Sequence, residues 1–187
     1  MNKKITVIII LILGLIVFFS YSKNNLYTIS NNKESFEKAI YERINENNVS
    51  IQKINRIKDT NTYIALFYVQ DNLGYAELIQ GKNGKFKRGD HLGYGTNLFQ
   101  KQVITTNKGK YVIVVGKNHN KDISKIVVKV GNIKDGFSEN LNVSEKHFIK
   151  YFKVSNNTKE GNSHINLHLF NKDNIEITKK YTNNKYD

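Results

Sequence analysis

YIALFYVQ, residues 63–70, decides the fold. Tyr63, Ala65, Phe67 and Val69 alternate with Ile64, Leu66 and Tyr68, so a strand here is apolar on both faces. A half-exposed strand would carry polar groups at every second position. This one has to lie centrally in its sheet with both faces covered. Asp71-Asn72-Leu73-Gly74 reads as a turn, with Gly74 supplying a positive φ, and Tyr75–Gln80 as the antiparallel partner. Gly81-Lys82-Asn83-Gly84 turns the chain again, and Lys85–Arg88 reads as a short edge strand whose lysines discourage unwanted pairing.

On the N-terminal side, Val49–Lys58 reads as a strand with imperfect alternation. Before it the period is 3.6. Phe36, Ala39, Ile40 and Ile44 form one stripe of a helix over Asn32–Glu46, which covers one face of the central strand. Asn31 stands at the cap position with Glu34 three residues on, as in a capping box. Glu37, Lys38, Glu42 and Arg43 are assigned to a solvated face, and Asn47-Asn48 to the end of the helix.

On the C-terminal side, Gly89–Thr96 (GDHLGYGT) reads as an irregular loop. Asn97–Thr106 and Lys110–Lys117 form a second hairpin, and KYVIVVGK is again apolar on both faces. Asn118–Asp122 (NHNKD) has no apolar residue and marks a candidate boundary. Beyond it Ile126, Val128 and Val130 alternate with Lys125, Val127 and Lys129. Phe148, Phe152 and Val154 share a face that Lys150 interrupts. Ile165, Leu167 and Leu169 alternate with His164, Asn166 and His168. After a turn at Asn171–Asn174 a further short segment covers Ile175–Tyr181. Such spacing suggests a small antiparallel sandwich. The expected fold is α+β and mainly antiparallel β, with one helix plus sheet over 32–117 and a small β-sandwich over 118–187.

The chain opens differently. Ile5–Phe19, ITVIIILILGLIVFF, has no charged residue and follows Met1-Asn2-Lys3-Lys4. Extended through Tyr21 it would span roughly 25 Å as a helix, near the short limit for a bilayer core of about 30 Å. Two readings compete. One is an uncleaved anchor over 5–21, favoured by the length of the apolar run and by Phe18, Phe19 and Tyr21 at an interface. The other is a secretory signal cut near Ser20-Tyr21-Ser22. Lys3 and Lys4 keep residues 1–4 cytoplasmic, so everything beyond a spacer at 22–31 lies outside the cytoplasm.

The chain has 29 Lys and Arg against 16 Asp and Glu, a net charge of +13. That charge attracts anionic lipid headgroups or anionic cell-wall polymers. Nucleic acid fits less well, because Arg is scarce and the lysines are scattered along the sequence. With no cysteine there is no disulfide framework, and with no proline the turns rely on Gly, Asn and Asp.

No catalytic motif is present. Gly93-Tyr94-Gly95 precedes a strand rather than the helix a phosphate loop needs. GxSxG and HExxH are absent, and His164 and His168 lie about 13 Å apart on a strand, too far to share a metal. Asp90, His91 and Tyr94 form the best local candidate for a polar ligand site. No cofactor is implied.

YIALFYVQDNLGYAELIQGKNGKFK, with LGYGTNLF and TNKGKYVIVVGKN, resembles small membrane-anchored exported proteins of unknown function from Bacillus-type bacteria. ISKIVVKV, HFIKYFKV and INLHLFNKDNIEIT are similar to the small β-sandwich that closes many of them. The resemblance covers roughly Tyr63–Thr178. It implies a single anchor, an α+β part and a terminal sandwich outside the membrane, and it carries over no site residues. The expected function is therefore a tethered, non-catalytic binding or regulatory domain. The alternatives are an enzyme acting on envelope material and a charge-driven polyanion binder.

Overall fold

The computed structural model describes residues 9, 11–15, 26–46, 48–131, 137–162 and 164–182. The segment 5–21 falls mostly outside these. Residues 9 and 11–15 are helical and exposed, and among the described residues no helix is long and apolar enough to cross a membrane.

Every strand pair is antiparallel, and the strands form three sheets. The first is a meander of β1 (Val49–Arg56), β2 (Thr62–Val69), β3 (Asn72–Gln80) and β4 (Phe86–Gly95). The second has the order β5 (Phe99–Thr106), β6 (Gly109–Lys117), β9 (His147–Lys153). The third has the order β10 (Ile165–Phe170), β7 (Lys125–Val130), β8 (Phe137–Asn142). Helices α1 (Lys33–Ile44) and α2 (Thr178–Thr182) complete the elements.

The layers follow from which strands are apolar on both faces. Phe36 and Ile40 of α1 pack on Ala65, Phe67, Val69, Ala76 and Phe86 of the first sheet. The opposite face of that sheet, with Ile64, Leu66 and Leu73, packs on Ile104, Ile113, Val115 and Ile149 of the second. Val112, Val114 and Phe148 then turn the other way, onto Ile126, Val128, Leu141 and Ile165 of the third. The order is helix, sheet, sheet, sheet. YIALFYVQ and KYVIVVGK are the two-faced strands because each belongs to a sheet covered on both sides.

The break foreseen at 117/118 does not separate the sheets. β9, from beyond it, pairs along its whole length with β6, from Tyr111↔Lys153 to Lys117↔His147. Asn118 is fully buried and brackets the loop after β6. Its Nδ2 donates to the Ile123 carbonyl at 2.8 Å, and its Oδ1 accepts from Ile123 N at 3.1 Å. A polar stretch in the sequence is thus anchored by a satisfied buried amide.

Other local readings shift for definable reasons. The helix cap is Asn32, not Asn31: its side chain accepts from Ser35 N at 2.8 Å, and Glu34 falls one position short of a capping box. The helix ends at Asn45, whose left-handed φ of 55° lets its N–H bond to the Tyr41 carbonyl. The positive φ of the β2–β3 turn belongs to Gln70, whereas Gly74 lies within β3. A Cβ on Gly74 would stand 2.4 Å from Cζ of Phe67, so the glycine makes room for a core ring. The spacer is not free of the domain, because Ile29 pairs with Phe86 through two backbone hydrogen bonds at the edge of β4. Ile175–Tyr181 ends as the short helix α2 after a single bridge from Glu176 to Phe170.

Candidate functional site

Asp90, His91 and Tyr94 sit on β4, not in a loop. Pairing with β3 slips between Ala76 and Leu78, and Glu77 stands opposite the bulged Gly89–His91. The Glu77 side chain enters the gap that glycine leaves: a Cβ on Gly89 would lie 2.4 Å from Glu77 Cγ. Oε2 accepts from Asp90 N at 3.1 Å and from His91 N at 3.3 Å, replacing the missing ladder bonds. From α1, Arg43 donates to the carbonyls of Gly89 at 2.6 Å and Asp90 at 2.7 Å. Arg43, assigned to the solvated face of the helix, is thus the clamp on the bulge.

Glu77 is only 3% exposed. Burial pushes its carboxyl above the usual range, against the two backbone N–H donors and the charge of His91, which pull it down. Burial, with Glu77 adding to it, raises the Tyr75 hydroxyl to about 12. Glu77 and Tyr75 are buried and shape β4 from within, whereas Asp90 is exposed and His91 half-exposed at its surface. Tyr94 stands apart, exposed, and falls on the opposite face of β4 from His91.

An accessible cavity of about 610 Å³ lies elsewhere, where the second and third sheets diverge. Val130 and Gly131 at the end of β7, Phe137 at the start of β8 and Val154 after β9 line it, and Ser155, Asn157 and Thr158 close one side. Among the described residues that line it, Lys153, Lys159 and His164 are the ionisable groups and none is a carboxylate. Phe137 rests on the Phe152 ring at 5.7 Å yet remains 47% exposed.

The loop that crosses from β9 to β10 is strapped over this opening. Lys110 Nζ donates to the Thr158 carbonyl at 2.7 Å, and Val103 N donates to the Gly161 carbonyl at 3.0 Å. The Thr105 hydroxyl donates to Glu160, and Lys101 Nζ to the Ile165 carbonyl. Burial lowers the Lys101 ammonium. On the third sheet, Gly131 N donates to the His164 carbonyl at 2.9 Å. These ties hold a cavity with an apolar floor, cationic edges and a few hydroxyl and amide donors. Its size and chemistry fit a small amphipathic ligand carrying negative charge.

Sequence reasoning did not find this site. Val154 reads as a core residue and His164 as a strand-face histidine, and the cavity exists only because β9 and β7 belong to different sheets. The one available signal is the polar run SNNTKEG at 155–161 directly after an apolar strand. Among the described residues, no group of three His, Asp or Glu is placed to hold a metal. His168 instead pairs with Glu176, Nδ1 to Oε1, at 3.0 Å.

Tyr68 is the other anomaly. Its hydroxyl is buried without a hydrogen-bond partner among the described residues, and burial raises it to about 12. Replacing Tyr68 with Phe loses no hydrogen bond, so urea unfolding should show stability unchanged or raised by about 1 kcal/mol. A loss of more than about 1 kcal/mol would show that the hydroxyl has a partner.

Comparisons with protein-family models, with curated proteins and with solved structures give no match to this chain.

Proposed function

We propose that the chain is a single-pass tethered binding protein whose β-rich part lies outside the cytoplasm and takes a small amphipathic anion without chemically changing it. The cavity between the second and third sheets carries this reading, since its apolar floor is edged by Lys153, Lys159 and His164, with no acid among the described lining residues. The anchor rests on the charge-free run Ile5–Phe19 behind Lys3 and Lys4. It agrees with the resemblance to exported, membrane-anchored bacterial proteins. In whole cells, added protease should remove the β-rich part; protection until lysis would place it inside.

The ligand class is tested by calorimetry on the full chain in zwitterionic nanodiscs, using octanoate, octanol and octylammonium as probes. Octanoate should bind at least about tenfold more tightly than octylammonium, because two lysines favour the first and repel the second. Phe137→Ala should weaken octanoate and octanol alike, whereas Lys153→Gln/Lys159→Gln should weaken octanoate alone. Equal affinity for all three probes, or no saturable binding of any, would overturn the reading.

A further inference from the structure

The lysines, scattered in sequence, are gathered at one place by the fold. β9 pairs with β6 so that His147 stands opposite Lys117, and β1 lies over β9. Lys53, Lys117 and Lys146 then lie around Tyr68 and His147, and Lys150 joins Lys53 through Glu145. Lys117 Nζ lies over the Tyr68 ring at 5.6 Å, and the His147 ring meets that ring edge-on at 5.7 Å. Glu145 is shared between two of the cations, 3.5 Å from Lys53 and 3.3 Å from Lys150.

The charge is unbalanced: among the described residues, two of these four ammonium groups share the one carboxylate of Glu145. Two neighbouring groups register the resulting field. Burial lowers the His147 imidazole, and Lys146, Lys117 and Lys53 lower it further. Glu145 goes the other way. Burial alone would raise it, but the N–H groups of Glu145 and Ser144 and the Lys150 ammonium hold it to about 2. It therefore stays ionised at neutral pH and still leaves a surplus of positive charge. The side chains of Lys53 and Lys150 are only 28% and 27% exposed, so their ammonium groups are held in place rather than swinging in solvent.

We propose that Lys53, Lys117 and Lys146 around Tyr68 and His147, with Lys150 joined to them through Glu145, form a binding site for phosphate-class oxyanions, best filled by successive phosphates of a polyanion. Glu145 holds two of the ammonium groups in position until an anion displaces it. The site lies at the His147 end of β9, and the apolar cavity lies beyond Lys153 at the other end. Six residues of strand, about 20 Å, separate them. Either site can therefore fail without the other.

The test is binding of long-chain polyphosphate and of tripolyphosphate to the full chain in zwitterionic nanodiscs, followed across a salt series. Lys117→Gln/Lys146→Gln/Lys150→Gln should weaken polyphosphate by roughly tenfold or more and flatten the dependence on log salt by about two to three units. Lys82→Gln/Lys85→Gln/Lys108→Gln removes the same charge from exposed turns and should cost less than about threefold. Glu145→Gln should tighten binding by about threefold, since it frees two ammonium groups. Thermal unfolding of each variant separates loss of binding from loss of fold, and Lys117→Arg should retain binding. Equal losses for the two triple variants would overturn the site, leaving net charge alone. Tripolyphosphate matching the long chain would uphold the anion site and assign it to free oligophosphate instead of a polymer.

Discussion

Replacing Phe67 with Ala should lower the unfolding free energy by about 3–5 kcal/mol, as for a large aromatic removed from a closed core. Phe67 is fully buried beneath α1, in the same cluster as Phe36, Ile40 and Phe86. Its neighbour gives a sharper test. Gly74→Ala places a methyl group 2.4 Å from Cζ of Phe67 and should cost about 1–3 kcal/mol through overpacking. The pair Gly74→Ala/Phe67→Leu should cost less than the sum of its single changes, because the smaller side chain releases the space. Denaturant unfolding of the double-mutant cycle measures that coupling, which should exceed about 0.5 kcal/mol. Strict additivity would mean that the glycine and the ring do not meet.

The second large effect is expected at Glu77. Glu77→Ala leaves the N–H groups of Asp90 and His91 unpaired in the bulge and opens a void beside Gly89, for a loss of about 3 kcal/mol or more. Glu77→Gln keeps an acceptor oxygen in place and should cost about 1 kcal/mol. The pH dependence distinguishes the two protonation states. Burial raises the folded carboxyl above its ordinary value of 4.5, so the native state holds this proton more tightly than the unfolded chain. The contribution of this group to stability is thus greatest below about pH 4.5 and falls as pH rises through the folded value. Relative to Glu77→Gln, the wild-type chain should gain stability as pH falls from 7 toward 4.5. A difference that stays flat over that range would mean an ordinary titration at Glu77.

Sheet membership was legible in sequence wherever burial is two-sided. YIALFYVQ and KYVIVVGK have no polar face, and both are sandwiched between layers. HFIKYFKV is similar: Phe148 and Phe152 face the third sheet while Ile149 and Tyr151 face the first. Legibility ended where a side chain replaces backbone pairing. GDHLGYG reads as a loop because it lacks strand formers, but Glu77, thirteen or fourteen residues away, supplies the acceptor that keeps it in register. FSENLN escapes notice as β8 because it lies at the edge of the third sheet, where Leu141 is its one buried residue. The pairing of β9 with β6 across the foreseen break is a non-local choice that periodicity does not encode. For the same reason the candidate ligand trio is not brought together: the backbone of Asp90 and His91 is tied into the bulge, and Tyr94 stands apart. The lysine cluster and the apolar cavity each draw on strands distant in sequence, so neither could be assembled from local patterns.

The amide chemical shifts of the full chain in zwitterionic nanodiscs, titrated with octanoate, test the binding reading most directly. Saturable shifts should concentrate at Val130, Gly131, Phe137, Val154, Thr158 and His164, and those of Tyr68 and His147 at the other end of β9 should stay fixed. Shifts that never saturate, or that centre on α1 or the β4 bulge while the cavity residues stay silent, would contradict it.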